Sequence, residues 1–240
     1  MAMAVLEVIQ RVANAIGITE PTTAVANTAD EVVQLVELLN QEGRQLSTRY
    51  DWNALVFEGS FTTVATESQG TLASIIGATQ ELRYIVNETI WDRTAAVPIV
   101  GPQSKKVWQG MKSLSLTGPY SEYRIRGNKI IFNPVPPAGH SCFFEYISKM
   151  WCTNAAGSTY SRNVVADTDL FLLDDEIICA GLEWRWLRKK GLSYAEEFAS
   201  YEAMVAMAMM RDGTKSTVSM DNYDRPKRGI FVPVGSWNLP

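Results

Sequence analysis

The feature that most constrains this chain is a change in its hydrophobic period, helical towards both ends and strand-like between them. From Val56 to Cys152 the apolar residues come in short runs: "FTTVAT", "YIVNETIWD", "AAVPIV", "EYRIR", "KIIFN" and "CFFEYISKMW". They are rich in β-branched and aromatic residues and bounded by Gly, Pro, Ser and Asn, which predicts strands. Gly127-Asn128, between "YRIR" and "KIIF", suits a two-residue hairpin turn because both residues tolerate positive φ. Only "SKKVWQGMKSL" (104–114) reads as helix in this stretch, and Gly110 weakens it.

Outside the stretch the period lengthens. Residues 3–16 set Leu6, Ile9, Ala13 and Ile16 on one helical face, and Gly17 stops the run. After the connector "TEPTTAVANT", the "TADE" of Thr28 and Glu31 predicts a capping box. The helix it heads, about 29–48, carries Val32, Leu35, Val36, Leu39 and Leu46 on one stripe and exits at Tyr50 and Trp52. Further on, Asp174, Asp175 and Glu176 open a helix that Arg188, Lys189 and Lys190 close, an order that complements the helix dipole at both ends. Ser193 and Glu196 predict a second capping box, and Phe198, Tyr201, Val205 and Ala208 a stripe ending at Gly213. Gly191 between these two helices requires a tight antiparallel pair.

Each helix pair alone would leave an apolar stripe in water. The expected fold is therefore α+β: an antiparallel helical bundle formed by N- and C-terminal helix pairs, with an inserted β-rich module and an extended C-terminal tail. The boundaries are 1–55 for the N-terminal helical pair, 56–165 for the β-rich insertion with its hairpin, 166–212 for the C-terminal pair packing on 1–55, and 213–240 for the tail arm.

Composition limits what such a fold does. No window approaches the ~18 consecutive apolar residues of a membrane span. The opening lacks a basic n-region and carries Glu7 and Arg11 inside its apolar pattern, so no signal peptide is expected and the chain is expected to be made in the cytoplasm. Cys142, Cys152 and Cys179 form no CxxC pair and are expected to be buried free thiols. Residues 1–102 hold 12 acidic and 5 basic side chains, a net −7, whereas residues 103–240 hold 14 and 17, a net +3. That asymmetry marks either a partner-facing polarity or two unequally solvated surfaces. A pI of 5.2 argues against tight electrostatic binding of nucleic acid.

Catalytic signatures are sparse. His140 is the sole histidine, which leaves little room for HExxH metal sites or Ser-His-Asp triads; after the proline loop it reads as a solvated turn residue. "GPQSKK" (101–106) lacks the second glycine and the Lys-Ser/Thr ending of a phosphate loop. The trio Asp174-Asp175-Glu176 reads as helix capping. No cofactor or metal is expected, and the chain is read as no enzyme. The Met-rich "EAMVAMAMM" is open between a partner groove and a core contact. Trp184 and Trp186 point to different helix faces, which places one of the two in the core and the other at an interface as the expectation.

The layout resembles the head-to-tail adaptor (connector) proteins of short-tailed bacteriophages. The opening helix, connector and "DEVVQLVELLNQEGRQLSTRYDWNAL" are similar to the start of that family. "YRIRGNKIIFNPVPPAGHSCFFEYISK" looks like its β-hairpin, with an "I-x-G" turn and a "P-x-P" exit. "DTDLFLLDDEIICAGLEWRWLRKKGLSYAEEFASYEAMVAMAMM" resembles its closing helices. The likeness covers about 1–212, and 56–102 contributes little to it. It implies a virion protein of the neck: a ring of typically twelve copies beneath the capsid portal, with the tail nozzle below, helices side by side around a channel, and DNA passing without sequence-specific binding. The partners it implies are the portal protein, the nozzle protein and the chain itself, with no membrane.

Carried onto this sequence, the resemblance makes 213–240 a candidate portal-docking arm. Phe231, Val232 and Trp237 would be its anchors, and Arg225, Lys227 and Arg228 would face an acidic rim. Tyr123, Ile125, Ile131, Phe132, Pro134, Pro136 and Pro137 become a candidate subunit or nozzle contact. The prolines stiffen the loop and remove amide donors; an ordinary hairpin exit over the chain's own core is the other reading of that loop. Two further functions remain in competition: a β-rich receptor- or glycan-binding module stacking sugars on Trp91, Trp108 or Trp151, and a cell-wall hydrolase working through two carboxylates, which need no local motif.

Overall fold

The computed structural model describes residues 3–77, 81–114, 118 and 120–213. Two helices come first, α1 (Val5–Ala15) and α2 (Asp30–Arg49). Next are β1 (Val56–Thr62), β2 (Ser68–Thr71), the short α3 (Leu72–Ile76), β3 (Leu82–Ile85), β4 (Trp91–Asp92), β5 (Val97–Pro98) and α4 (Lys105–Ser113). The hairpin strands β6 (Glu122–Arg126) and β7 (Lys129–Asn133) precede the long β8 (Ser141–Ser148) and the two-residue strands β9 (Cys152–Thr153), β10 (Tyr160–Ser161) and β11 (Leu170–Phe171). The helices α5 (Asp175–Lys189) and α6 (Ala195–Asp212) follow. Among the described residues the fold is α+β, with six α-helices and three antiparallel sheets.

The expected antiparallel bundle of N- and C-terminal helix pairs is not formed. α5 is a hub that packs on α1, α2 and α6, while α1 and α2 meet only at a few residues. The reason lies in what answers α1. Its first turn is tied to the loop before α5, Val5 N–H donating to Asp169 O at 2.9 Å and Leu6 N–H to Asp167 O at 3.1 Å. Asp167 also accepts from the Ala24 and Val25 amides in the connector. α1 is thus held by loops and by α5, not by a hairpin partner. The same core takes Ile147, Trp151, Cys152 and Phe171 from the β-structure, so helices do not close it alone.

Both predicted capping boxes are also replaced. α2 begins after Ala29 with no side-chain cap; the Ala29 amide donates instead to Asn27 Oδ1 at 2.8 Å. α6 begins after Tyr194, again without one. At α5 the acidic cap is present: Asp174 Oδ1 accepts from Glu176 N at 2.9 Å. Trp184 and Trp186 are both buried, because a hub helix has neighbours on more than one face.

β8 is the spine of the largest sheet. β1 runs against its whole length, from Val56↔Ile147 to Thr62↔Ser141, and β3 and β4 share its other edge, with β5 beyond β4. β2, β7 and β6 form a second sheet. Gly127 and Asn128, at φ 58° and 60°, make the two-residue turn that the sequence predicts. A second core, with Ile90, Tyr123, Ile130, Phe132, Cys142 and Phe144 among its members, joins these two sheets. The smallest sheet, β10-β9-β11, lies at the helical core through Cys152 and Phe171.

Candidate interaction surfaces

The hairpin and its proline exit hold about half of the residues that the sequence offers as a site. Tyr123 and Phe132 are fully buried and Ile131 nearly so, all within the chain's own core, and Ile125 is half-buried. Their apolar side chains therefore serve the fold. The loop after them has a cis Asn133–Pro134 bond, with Pro134 half-buried, Pro136 buried and Pro137 exposed. It is sewn to the end of β1: the Thr63 hydroxyl donates to Pro137 O at 2.6 Å, Gly139 N–H to Thr63 O at 2.9 Å, and Thr63 N–H to His140 O at 2.8 Å. What it offers outward is Val135, Pro137 and Ala138.

His140 is not a solvated turn residue. Its Nδ1 lies 2.6 Å from Asp92 Oδ2, and Asp92 is buried. The other Asp92 oxygen accepts from Thr94 N at 2.9 Å and Ala95 N at 3.0 Å, which closes the turn after β4. Asp92 so joins β4 to the start of β8 through the one histidine. Burial, with Asp92 adding to it, pushes the neighbouring Cys142 thiol up to about 12, so no thiolate stands ready beside the histidine. Replacing Asp92 with alanine removes three hydrogen-bond acceptances from a buried position, and a loss of about 2–4 kcal/mol in urea-unfolding stability is expected. A loss below about 0.5 kcal/mol would mean that the carboxylate holds nothing together.

The acidic trio before α5 is spent on structure. Beyond the Asp174 cap, Asp175 Oδ2 accepts from Met3 N at 2.8 Å, and Glu176 takes the Arg11 guanidinium with two contacts of 2.6 Å. All three therefore act at the α1–α5 contact or the helix start. The Arg11–Glu176 pair is about half exposed on both sides, so it contributes no more than ~1 kcal/mol.

Between α2, α5 and α6 lies a buried polar cluster that sequence reading missed. Glu42 is fully buried on the apolar face of α2, with Leu39 and Leu46 one turn either side. Arg185 Nε donates to Glu42 Oε2 at 2.5 Å, and the Tyr201 hydroxyl to Glu42 Oε1 at 2.6 Å. Arg185 Nη2 also reaches Gln45 Oε1 at 2.8 Å. Gly181 of α5 supplies the room, since a Cβ there would collide with the Glu42 carboxyl. Burial and the Glu42 charge both raise the Tyr201 phenol above its ordinary range. The only available signal was an acid inside an apolar stripe with an arginine inside another.

Of the three tryptophans offered as sugar platforms, Trp91 is half-buried and the other two are closed. Trp108 and Trp151 are buried and present no face on which a sugar could stack. A cavity of ≈ 290 Å³ at the α2–α5–α6 junction has Leu46, Trp52 and Ile177 in its lining, but its carboxylates are committed, Asp174 to Glu176 N and Asp212 to Asn53 N. Among the described residues no group of three or more His, Cys, Asp or Glu could hold a metal ion, and no helix is long and apolar enough to cross a membrane.

One large surface is open. Tyr201 and Val205 are the buried residues of α6, and its opposite face is exposed from Glu196 to Arg211, with Met207 at 50% and Met210 at 77%. Arg225, Lys227, Arg228, Phe231, Val232 and Trp237 of the tail arm lie outside the described residues. Compared with protein-family models and with curated proteins, the chain has no match.

Proposed function

We propose that the chain is a structural virion protein, a ring-forming head-to-tail adaptor that joins the capsid portal to the tail nozzle and lines the DNA exit channel without turning over a substrate. The observation that carries this reading is the outward face of α6. Between Glu197 and Arg211 the only other charge on the helix is Glu202, which pairs with Arg49 at the side, and the exposed face is Ala, Ser and Met. A helix apolar on its outer as well as its inner face belongs inside an assembly, not on a solitary domain. The order of elements over 1–212 supports the adaptor form of that assembly by resemblance. The acidic balance suits a channel through which DNA slides without being gripped. The tail arm would meet the portal.

Quantitative mass spectrometry of purified virus particles tests the reading. The expected result is the chain present at parity with the portal protein, in keeping with a ring matched to the portal ring. Absence from the particle overturns it.

A further inference from the structure

The open face of α6 has a direction. Six exposed residues, Ala199, Ser200, Ala203, Ala206, Met207 and Met210, form one stripe along the helix. The N-terminal half of that stripe is small, and both methionines lie in the C-terminal half. An acid, Glu196, stands at the small end and a base, Arg211, at the large end, and both are exposed. Neither pairs with a charge among the described residues.

We infer that, before it joins any larger assembly, the chain pairs with a second copy of itself through antiparallel α6 helices crossing at Ala203. A parallel pairing sets Met207 and Met210 against their own counterparts and opposes like charges at both ends. Reversal sets Met207 against Ala199, so that large fills small, and Ala206 against Ser200. It also brings Glu196 of each copy within one residue of the position facing Arg211 of the other, close enough for the two long side chains to meet. Ala203 lies midway between the two charges, and its small side chain lets the backbones approach at the twofold. An uncharged stripe would accept many partners; the size and charge gradients are complementary to themselves only when reversed, which selects a second copy. About 16 residues at 1.5 Å each give a contact roughly 24 Å long, at the small end of specific interfaces, so a Kd in the micromolar range is expected.

This inference does not depend on the adaptor reading. A twofold contact closes at two copies and cannot be the repeated contact of a twelve-membered ring, so the pair must open before a ring forms.

Sedimentation equilibrium of the full chain from about 1 to 200 μM, bracketing a micromolar Kd, tests it. The expected result is a monomer–dimer equilibrium that Ala203→Glu abolishes, because it places two like charges at the crossing; circular dichroism verifies that this exposed substitution leaves the fold intact. Glu196→Arg alone or Arg211→Glu alone should weaken pairing by about tenfold, and E196R/R211E should restore it. Ala203→Cys should give a disulfide-linked dimer on oxidation and Ala199→Cys should not, with the native cysteines silent because all three are buried. A wild-type monomer at every concentration overturns the inference, as does a double charge swap weaker than either single one. Both outcomes are distinct from the chain's presence in or absence from the virus particle.

Discussion

Replacing Glu42 with alanine is expected to destabilise the chain by about 3–5 kcal/mol, read as a lowered urea midpoint at unchanged slope. The substitution strands the Arg185 guanidinium, which is 7% exposed and, among the described residues, would keep Gln45 as its hydrogen-bond acceptor and the Trp184 ring beneath it, and it removes the acceptor of the Tyr201 hydroxyl. The cost is that of an uncompensated buried charge, and it says little about the net worth of the intact pair. The double variant E42L/R185M should therefore recover most of the loss, because apolar residues of similar volume can fill the same space. Tyr201→Phe, which removes one hydrogen bond and leaves the ion pair, should cost only about 1–2 kcal/mol. If E42A shifts stability by less than about 1 kcal/mol, the pair is open to water and the α2–α5–α6 junction is not the closed core described above.

The second large effect is expected from a single methyl group. Gly43→Ala, in the middle of α2, should gain roughly 1 kcal/mol on helix propensity alone. The added Cβ would fall inside the van der Waals envelope of the Trp151 indole. That ring has nowhere to go: it is fully buried, stacks on Phe171 at 5.7 Å and 8°, and donates its N–H to Arg162 O at 2.7 Å. Steric cost should prevail, giving a net loss of about 2–4 kcal/mol. Gly110→Ala in α4 is the matched control, since a Cβ there meets nothing within 4 Å, and a gain of about 0.5–1 kcal/mol is expected. Thermal unfolding of the two variants decides the point. A large loss for G43A beside a small gain for G110A locates the effect in Trp151; a stabilised G43A means that α2 does not press on it.

These two residues also show what was legible in the sequence. Hydrophobic period placed the helices and the main strands, and Gly127-Asn128 specified its turn, because those signals are local. The choice of partner is not local. A stripe on α2 says that a face is buried but not that Trp151, from the end of a distant strand, lies under Gly43. Asp92 is 48 residues from His140, so the clamp between them had no motif to announce it. The capping box of α2 gave way to the Asn27 side chain, which takes the Ala29 amide, and α6 is headed by Tyr194, one residue beyond Ser193, with no side-chain cap. The bundle expectation failed for a related reason: it assumed that helices close on helices, whereas loop backbone at 167–169 and strand residues complete the same core. At the hairpin, apolar residues such as Tyr123 and Phe132 carried no mark to distinguish a contact surface from an interior.

The shared core of the two chain ends also sets a schedule for synthesis. α1 and α2 emerge from the ribosome early, yet the hub that covers them begins only at Asp175. Roughly 125 residues separate Arg49 from that point, which at ~5–20 residues per second is on the order of 6–25 s of translation. Late in that interval, once Ser148 is made, the sheets around β8 have all their own strands and can mature, while α1 and α2 still wait with their apolar faces unanswered. The nascent chain is thus a client for chaperones at α1 and α2 until α5 and α6 are made.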